Sequence, residues 1–113
     1  MARAPFNRAD RVSALLRREL AMLVHGDVRD RAVPEMSVSD VEVTRDLAQA
    51  TIYVTALHSE EAPLGVKLLN ENARDYRQKL SKMLTLRSVP VLHFKYDDSV
   101  DRGDRIEALL RQL

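Results

Sequence analysis

A chain of 113 residues with 45% hydrophobic side chains is long enough for one domain with its own core and needs no covalent staple. It contains no cysteine, which excludes disulfides and thiolate metal sites and fits a reducing compartment. The formal net charge of +1 does not by itself point to nucleic acid, so the distribution of charge is the informative quantity. The longest apolar stretches are a few residues, far short of the roughly 20 needed to span a bilayer. Met1 to Asp10 carries arginines but no apolar run of the signal-peptide kind behind them. The expectation is one soluble, cytoplasmic domain over 1–113, with its core over about 8–110, no membrane partner and no cofactor. With no long heptad pattern, a monomer is the default.

The first helix is expected from about Arg8 to Val24. Val12, Leu15, Leu16, Leu20 and Leu23 recur at helical spacing as one apolar stripe, and Arg17 and Arg18 fall away from it. Gly26 stands where a C-terminal cap would be expected. In the next segment Met36 and Val38 alternate with serines, while Val41 and Val43 follow the opposite parity. A strand with one buried face cannot change parity without an inserted residue, which predicts a β-bulge near Ser39-Asp40. Thr44-Arg45-Asp46-Leu47 reads as a turn into a second strand, Ala50 to Leu57, with Ile52, Val54 and Ala56 on one side. The short connection implies an antiparallel hairpin.

His58 to Pro63 reads as a loop. A second helical region follows from about Leu64 to Leu84, with Leu69, Ala73, Tyr76, Leu80, Met83 and Leu84 on one side and Lys67 and Arg74 almost opposite. Pro90 opens a third strand, Val91 to Tyr96, with Leu92, Phe94 and Tyr96 on one face. A short last helix, roughly Val100 to Leu110, would pack Ile106, Leu109 and Leu110. The class is α+β, and two long helices covering one face of a three-stranded sheet is the simplest packing.

Charge is polarised along this order. Met1 to Val24 holds five basic residues against two acidic, and Lys67 to Lys95 holds seven against two. Solvated helix faces, a nucleic-acid surface and a protein-interaction module whose basic face meets an acidic partner all fit such runs; the functional readings require the basic residues to share one surface. The candidates are Arg8, Arg11, Arg17 and Arg18 from the first helix and Lys67, Arg74, Arg77, Lys79 and Lys82 from the second region. Arg87, between Leu86 and Pro90, suits either an RNA contact or bracing of the turn. His25, His58 and His93 have no metal-ligand spacing, and no nucleophile motif or phosphate-cradling glycine loop is present. Asp97-Asp98-Ser99 admits a metal reading but is better explained as a turn and helix N-cap. Tyr53, on the open sheet face, is either a base-stacking platform or an ordinary packed tyrosine. Without an active site, an enzyme is not expected.

The element order resembles a KH domain of the type that begins with a helix (type II). Arg11-Val12 with Glu19-Leu20, then Val41-Glu42-Val43-Thr44-Arg45-Asp46-Leu47 with Ala50 and Tyr53-Val54, then Leu86-Arg87, Pro90, Leu92, Phe94, Asp97 and Ser99 resemble the ribosome-binding factor A family, in its order and spacing. The resemblance covers about Arg8 to Leu110. It implies a KH-like domain that binds the free or immature 30S small ribosomal subunit and its 16S rRNA precursor and assists late maturation, including 5′-end processing. It also implies a link to growth in the cold and a ribosome-assembly GTPase as a further partner. The GXXG loop that clamps RNA in ordinary KH modules is absent, since the glycines are Gly26, Gly65 and Gly103. The family replaces that loop with a kink marked by Ala-x-Gly, giving the order α-β-β-α-(kink)-α-β-α. Here the triplet aligns with Asn72-Ala73-Arg74. Asn can interrupt a helix through backbone bonding, whereas Arg is a good helix former, so a kink and a continuous helix both fit. Reversing Arg74 and Arg77 to Glu is expected to weaken ribosome binding at nearly unchanged melting temperature.

Overall fold

The computed structural model describes residues 7–99. The expected last helix, with Ile106, Leu109 and Leu110, lies outside the described residues. Within them the order is α1 (Arg8–Arg29), β1 (Met36–Val43), β2 (Gln49–Ala56), a 3₁₀ turn (Ser59–Glu61), α2 (Ala62–Glu71), α3 (Ala73–Met83) and β3 (Val91–Tyr96). No described helix is long and apolar enough to cross a membrane.

Helix α1 begins at a capping box: Asp10 N–H donates to Asn7 Oδ1 at 2.9 Å, and Asn7 N–H faces the Asp10 carboxylate at 3.4 Å. Val12, Leu16, Leu20 and Val24 form its buried stripe, with Leu15 and Leu23 half-buried beside it. The helix does not stop at Gly26. Glycine only lowers helix propensity, whereas a stop needs a residue in the left-handed region just past the end. That residue is Arg31, at φ 62°. Ala32 N–H donates to Asp27 O at 2.8 Å and Arg31 N–H to Val28 O at 3.0 Å, closing a Schellman cap. An L-residue with a Cβ is strained there by about 1–2 kcal/mol. Glycine would relieve the strain at some cost in chain entropy, so Arg31→Gly is expected to stabilise by roughly 0.5 kcal/mol. A lowered denaturation midpoint would instead assign the Arg31 side chain a stabilising contact.

The hairpin pairs β1 antiparallel to β2 from Met36↔Ala56 to Val43↔Ala50. Its register shifts between Val38 (opposite Val54) and Asp40 (opposite Tyr53), which is the bulge that the parity change requires. The extra residue, Ser39, turns its hydroxyl to Tyr53 O at 3.2 Å and to Asp97 Oδ2 at 2.8 Å. In the Thr44–Leu47 turn, Leu47 takes φ 62° and its N–H donates to Thr44 O at 2.9 Å. Asp46 accepts from Thr44 Oγ1 at 2.6 Å and from Ala48 N–H at 3.0 Å, bonds that hold its carboxyl below the usual range.

Strand β3 pairs parallel to β2, giving the order β1-β2-β3. One face of the sheet (Val41, Ala50, Ile52, Val54, Leu92, Phe94) packs with Leu16 and Leu20 of α1, Leu69 of α2, and Tyr76 and Leu80 of α3 in a single core. On the other face Glu42, Thr51, Tyr53, Thr55, His93 and Lys95 are half-buried or exposed. The loop expected from His58 to Pro63 is shorter than that. A 3₁₀ turn leads into α2 at Ala62, and Pro63 sits in the first helical turn, where its missing N–H leaves no bond unmade. Met83, expected on the buried side, is 49% exposed. The backbone becomes extended at Leu84, and that leucine turns inward instead. Gly65 is buried, and a Cβ there would overlap Sδ of Met36 and come within 2.8 Å of its Cε. The bare backbone thus leaves room for the Met36 side chain of β1 against α2.

Candidate nucleic-acid interface

The second helical region is interrupted, not continuous. Asn72 sits between α2 and α3 at φ −97° and ψ 5°, in the bridge region and off the helix. Its backbone N–H is shared between Leu68 O (3.1 Å) and Leu69 O (3.2 Å), and its side-chain Nδ2 adds a second donor to Leu68 O at 3.1 Å. Helix α3 restarts with Tyr76 N–H donating to Asn72 O at 3.0 Å. An asparagine side chain thus supports the break locally. Ala73 is half-buried behind the break, and Arg74 is exposed in front of it.

The break aligns α2 against the edge of β3. Asn70 meets Phe94 through both halves of its amide: Phe94 N–H donates to Oδ1 at 2.8 Å, and Nδ2 donates to Phe94 O at 3.0 Å. The side chain therefore substitutes for a neighbouring strand at that residue. Beyond the clamp lies a groove of about 600 Å³ lined by Asn70, Glu71, Ala73, Arg74, Arg77, Val91 and Leu92. A second groove of about 380 Å³, which shares Arg74 and Arg77, continues along Gln78, Ser81 and Val89. Val91 N–H bonds to Ala48 O of the β2 side, so strand alternation turns the backbone of Leu92 outward toward the first groove.

The two groove arginines differ. Arg77 Nε donates to Val89 O at 2.9 Å and so braces the chain between α3 and β3. Arg77 thus supplies a brace on the same loop for which Arg87 was read as either an RNA contact or a brace. The expectation of an unchanged melting temperature then holds for Arg74 alone, because reversing Arg77 removes a structural bond. Lys79 forms an exposed ion pair with Asp75 at 3.2 Å, a contact of small energetic weight. At roughly 100° per residue Lys82 lies about a quarter of a turn, and Lys79 about two fifths of a turn, from the mean direction of the groove-lining Arg74, Arg77, Gln78 and Ser81. Lys67 is exposed on α2, and Arg11 and Arg18 are exposed on α1. Arg17 lies elsewhere, lining a cleft with Asp10, Asp40 and Glu42. Arg8 and Arg87, far apart in sequence, line one small cavity. The basic residues thus fall into separate groups, with Arg74 and Arg77 brought together at the break. Asn70 and the backbone of Leu92 were not singled out from the sequence, because a lone asparagine and a buried leucine carry no local signal.

The open sheet face is electrically unsuited to RNA around Tyr53. Its hydroxyl lies 3.4 Å from Glu42 Oε2. The charge of Glu42, aided by Asp40 and Asp97, pushes the phenol above its ordinary pKa. Those carboxylates would repel a phosphate backbone, which disfavours the stacking reading. Asp97 resolves the reading of Asp97-Asp98-Ser99 in favour of a turn: its Oδ1 accepts from Ser99 N–H at 3.0 Å while Oδ2 holds Ser39. Among the described residues no group of three or more His, Cys, Asp or Glu is placed to hold a metal.

Comparison with known proteins places this geometry. The family Ribosome-binding factor A matches residues 8–110. A ribosome-binding factor A from Xanthomonas oryzae pv. oryzae is 54% identical over 113 residues, covering 100% of this chain and 87% of that protein. The crystal structure of ribosome-binding factor A from Thermus thermophilus superposes with a TM-score of 0.65 at 22% identity, over 80% of this chain and 97% of that one. A homology model of the Thermus thermophilus factor, fitted into the cryo-EM map of its 30S complex, gives a TM-score of 0.63 at 23% identity, over 81% and 97%. The match along almost the whole chain, at this level of identity, makes the protein a member of the ribosome-binding factor A family.

Proposed function

We propose that this protein is a non-enzymatic assembly factor that binds the free or immature 30S subunit in the cytoplasm, contacting 16S rRNA through the groove at the Asn72 break, and assists late maturation and 5′-end processing of that RNA. Membership in the family, together with the Thermus thermophilus relative fitted into a 30S complex, carries the partner. The observation that carries the site is the placement of Arg74. It is exposed, it lines both grooves, and no bond to another described side chain occupies it. Arginine and lysine contacts to phosphate supply affinity that falls as salt rises. The domain over 1–113 would act as a single monomeric unit, released in turn by an assembly GTPase.

Co-sedimentation of the tagged protein with cell extract at moderate salt tests this reading. Enrichment on free small subunits and absence from large subunits and assembled ribosomes is the expected outcome. A protein that stays at the top of the gradient at low salt, with immature subunits present, would remove the ribosomal role. Arg74→Glu is expected to weaken subunit binding roughly tenfold and to lower the salt dependence by about one counterion. Its melting temperature should stay near that of the parent. Unaltered binding would take Arg74 out of the interface.

A further inference from the structure

A second feature lies at the end of the sheet that carries the β1–β2 turn. There the start of α1, that turn and the loop before β3 enclose a cavity of about 230 Å³ lined by Arg8, Val12, Asp46, Leu47, Leu86, Arg87 and Ser88. Its volume is below the range of small-molecule pockets, so it suits a compact group. Two guanidinium-bearing side chains, from positions far apart in sequence, share this space. Among the described residues neither makes a side-chain hydrogen bond or an ion pair. The one acidic neighbour, Asp46, turns Oδ1 to its own turn, where it accepts from Thr44 Oγ1 and Ala48 N–H, and its single charge offsets only one of the two arginines. The described lining therefore keeps a net positive charge, which favours an anion there.

We propose that this cavity is a phosphate-binding site, distinct from the groove at the Asn72 break, in which Arg8 and Arg87 grip one phosphate group from two sides with the Ser88 hydroxyl as a further donor. Each guanidinium offers five donors in a planar fork. Two forks and a hydroxyl outnumber what the two oxygens of a carboxylate can use and match a phosphate better. Ser88 and Val89 are consecutive, so the cavity and the second groove flank the same loop, and one RNA strand could engage both. In that form the site rests on the RNA reading above; as a pocket for free phosphate it does not.

The full chain, ¹⁵N-labelled, is titrated with inorganic phosphate, with acetate, and with oligouridylates that end in a phosphate or in a hydroxyl. Phosphate is expected to shift the amides of Arg8, Arg87 and Ser88 more than acetate does, and R8Q/R87Q to abolish those shifts. For the oligouridylates the double variant should lower the salt slope of log K by about 0.7, the share of the one phosphate that the pair would neutralise on a single strand. R29Q, at the opposite end of α1, should leave both unchanged. A severalfold preference for the phosphate-ended strand would assign the site to a terminal phosphate, and equal binding to the RNA backbone. Shifts with phosphate but no binding of any strand would keep the pocket for free phosphate and count against the RNA reading. Strand binding that Arg74→Gln weakens and R8Q/R87Q does not would overturn the pocket and leave the RNA reading standing. Equal shifts with acetate, or none with phosphate in the parent protein, would also overturn it.

Discussion

Tyr76→Ala is expected to lower the unfolding free energy by about 3–5 kcal/mol, a large part of the roughly 5–15 kcal/mol that holds a domain of this size together. Tyr76 is 0% exposed and is the largest fully buried side chain among the described residues. Its ring packs tilted against Phe94, with centroids 5.6 Å apart, and its hydroxyl donates to the Asp27 carboxylate of α1. One side chain therefore joins α3 to the sheet and to the first helix. Tyr76→Phe isolates the hydroxyl and should cost about 1–2 kcal/mol, since the part-buried carboxylate loses its donor. Urea denaturation separates the two variants, and equal losses would mean that the hydrogen bond rather than the ring carries the effect. Alkaline pH gives an independent check. Burial, and then the Asp27 carboxylate, push the Tyr76 phenol well above the usual tyrosine range. Below about pH 10 the phenol is protonated whether folded or unfolded. Above it the unfolded chain releases a proton that the folded chain retains, so stability falls as pH rises. The fall should be shallower in Tyr76→Phe than in the parent.

The second large effect is expected at Asn70. Asn70→Ala removes both partners of the Phe94 backbone at once, and each part-buried group left unpaired costs up to about 1–3 kcal/mol, less where water reaches it. A total near 2 kcal/mol is expected. Asn70→Asp is a sharper test, because it keeps an acceptor for Phe94 N–H and turns a second oxygen against Phe94 O. It should destabilise at neutral pH and recover part of the loss as the carboxyl is protonated. A variant as stable as the parent at all pH values would show that the clamp is incidental to the placement of α2. Since Asn70 also lines the groove with Arg74, Asn70→Ala should weaken small-subunit binding through the groove's shape, at unchanged salt dependence.

Much of the architecture was legible because it is written in short-range periodicities. The stripe of Val12, Leu15, Leu16, Leu20 and Leu23, the parity change near Ser39-Asp40 and the alternation in β2 each follow from the geometry of a single element. The end of α1 was not legible, because it depends on Arg31 adopting a conformation that arginine does not advertise. Nor were the bonds that position the site: Asn70 reaches Phe94 across 24 residues, Tyr76 reaches Asp27 across 49, and Arg77 reaches Val89 across 12. The residue types of the candidate interface were readable as basic runs. Their sorting into a groove at Arg74, a cavity at Arg8 and Arg87, and an acid-lined cleft at Arg17 arises only from packing. The break at Asn72 stood open in the sequence because asparagine and arginine argue in opposite directions, and the capture of Leu68 O by the Asn72 amide decides it.

The parallel pairing of β2 with β3 also sets an order of assembly. The β1–β2 hairpin closes across a turn of a few residues and can form early. β3 meets β2 only after residues 57–90 have been drawn together, and a pairing at that separation bears the loop-closure entropy before it gains any contact. The wall of the groove at Val91 and Leu92 is therefore among the last parts of the chain to fall into place. A nascent or partly opened molecule has its hairpin but no groove, so the proposed RNA contact would be restricted to chains that have completed folding.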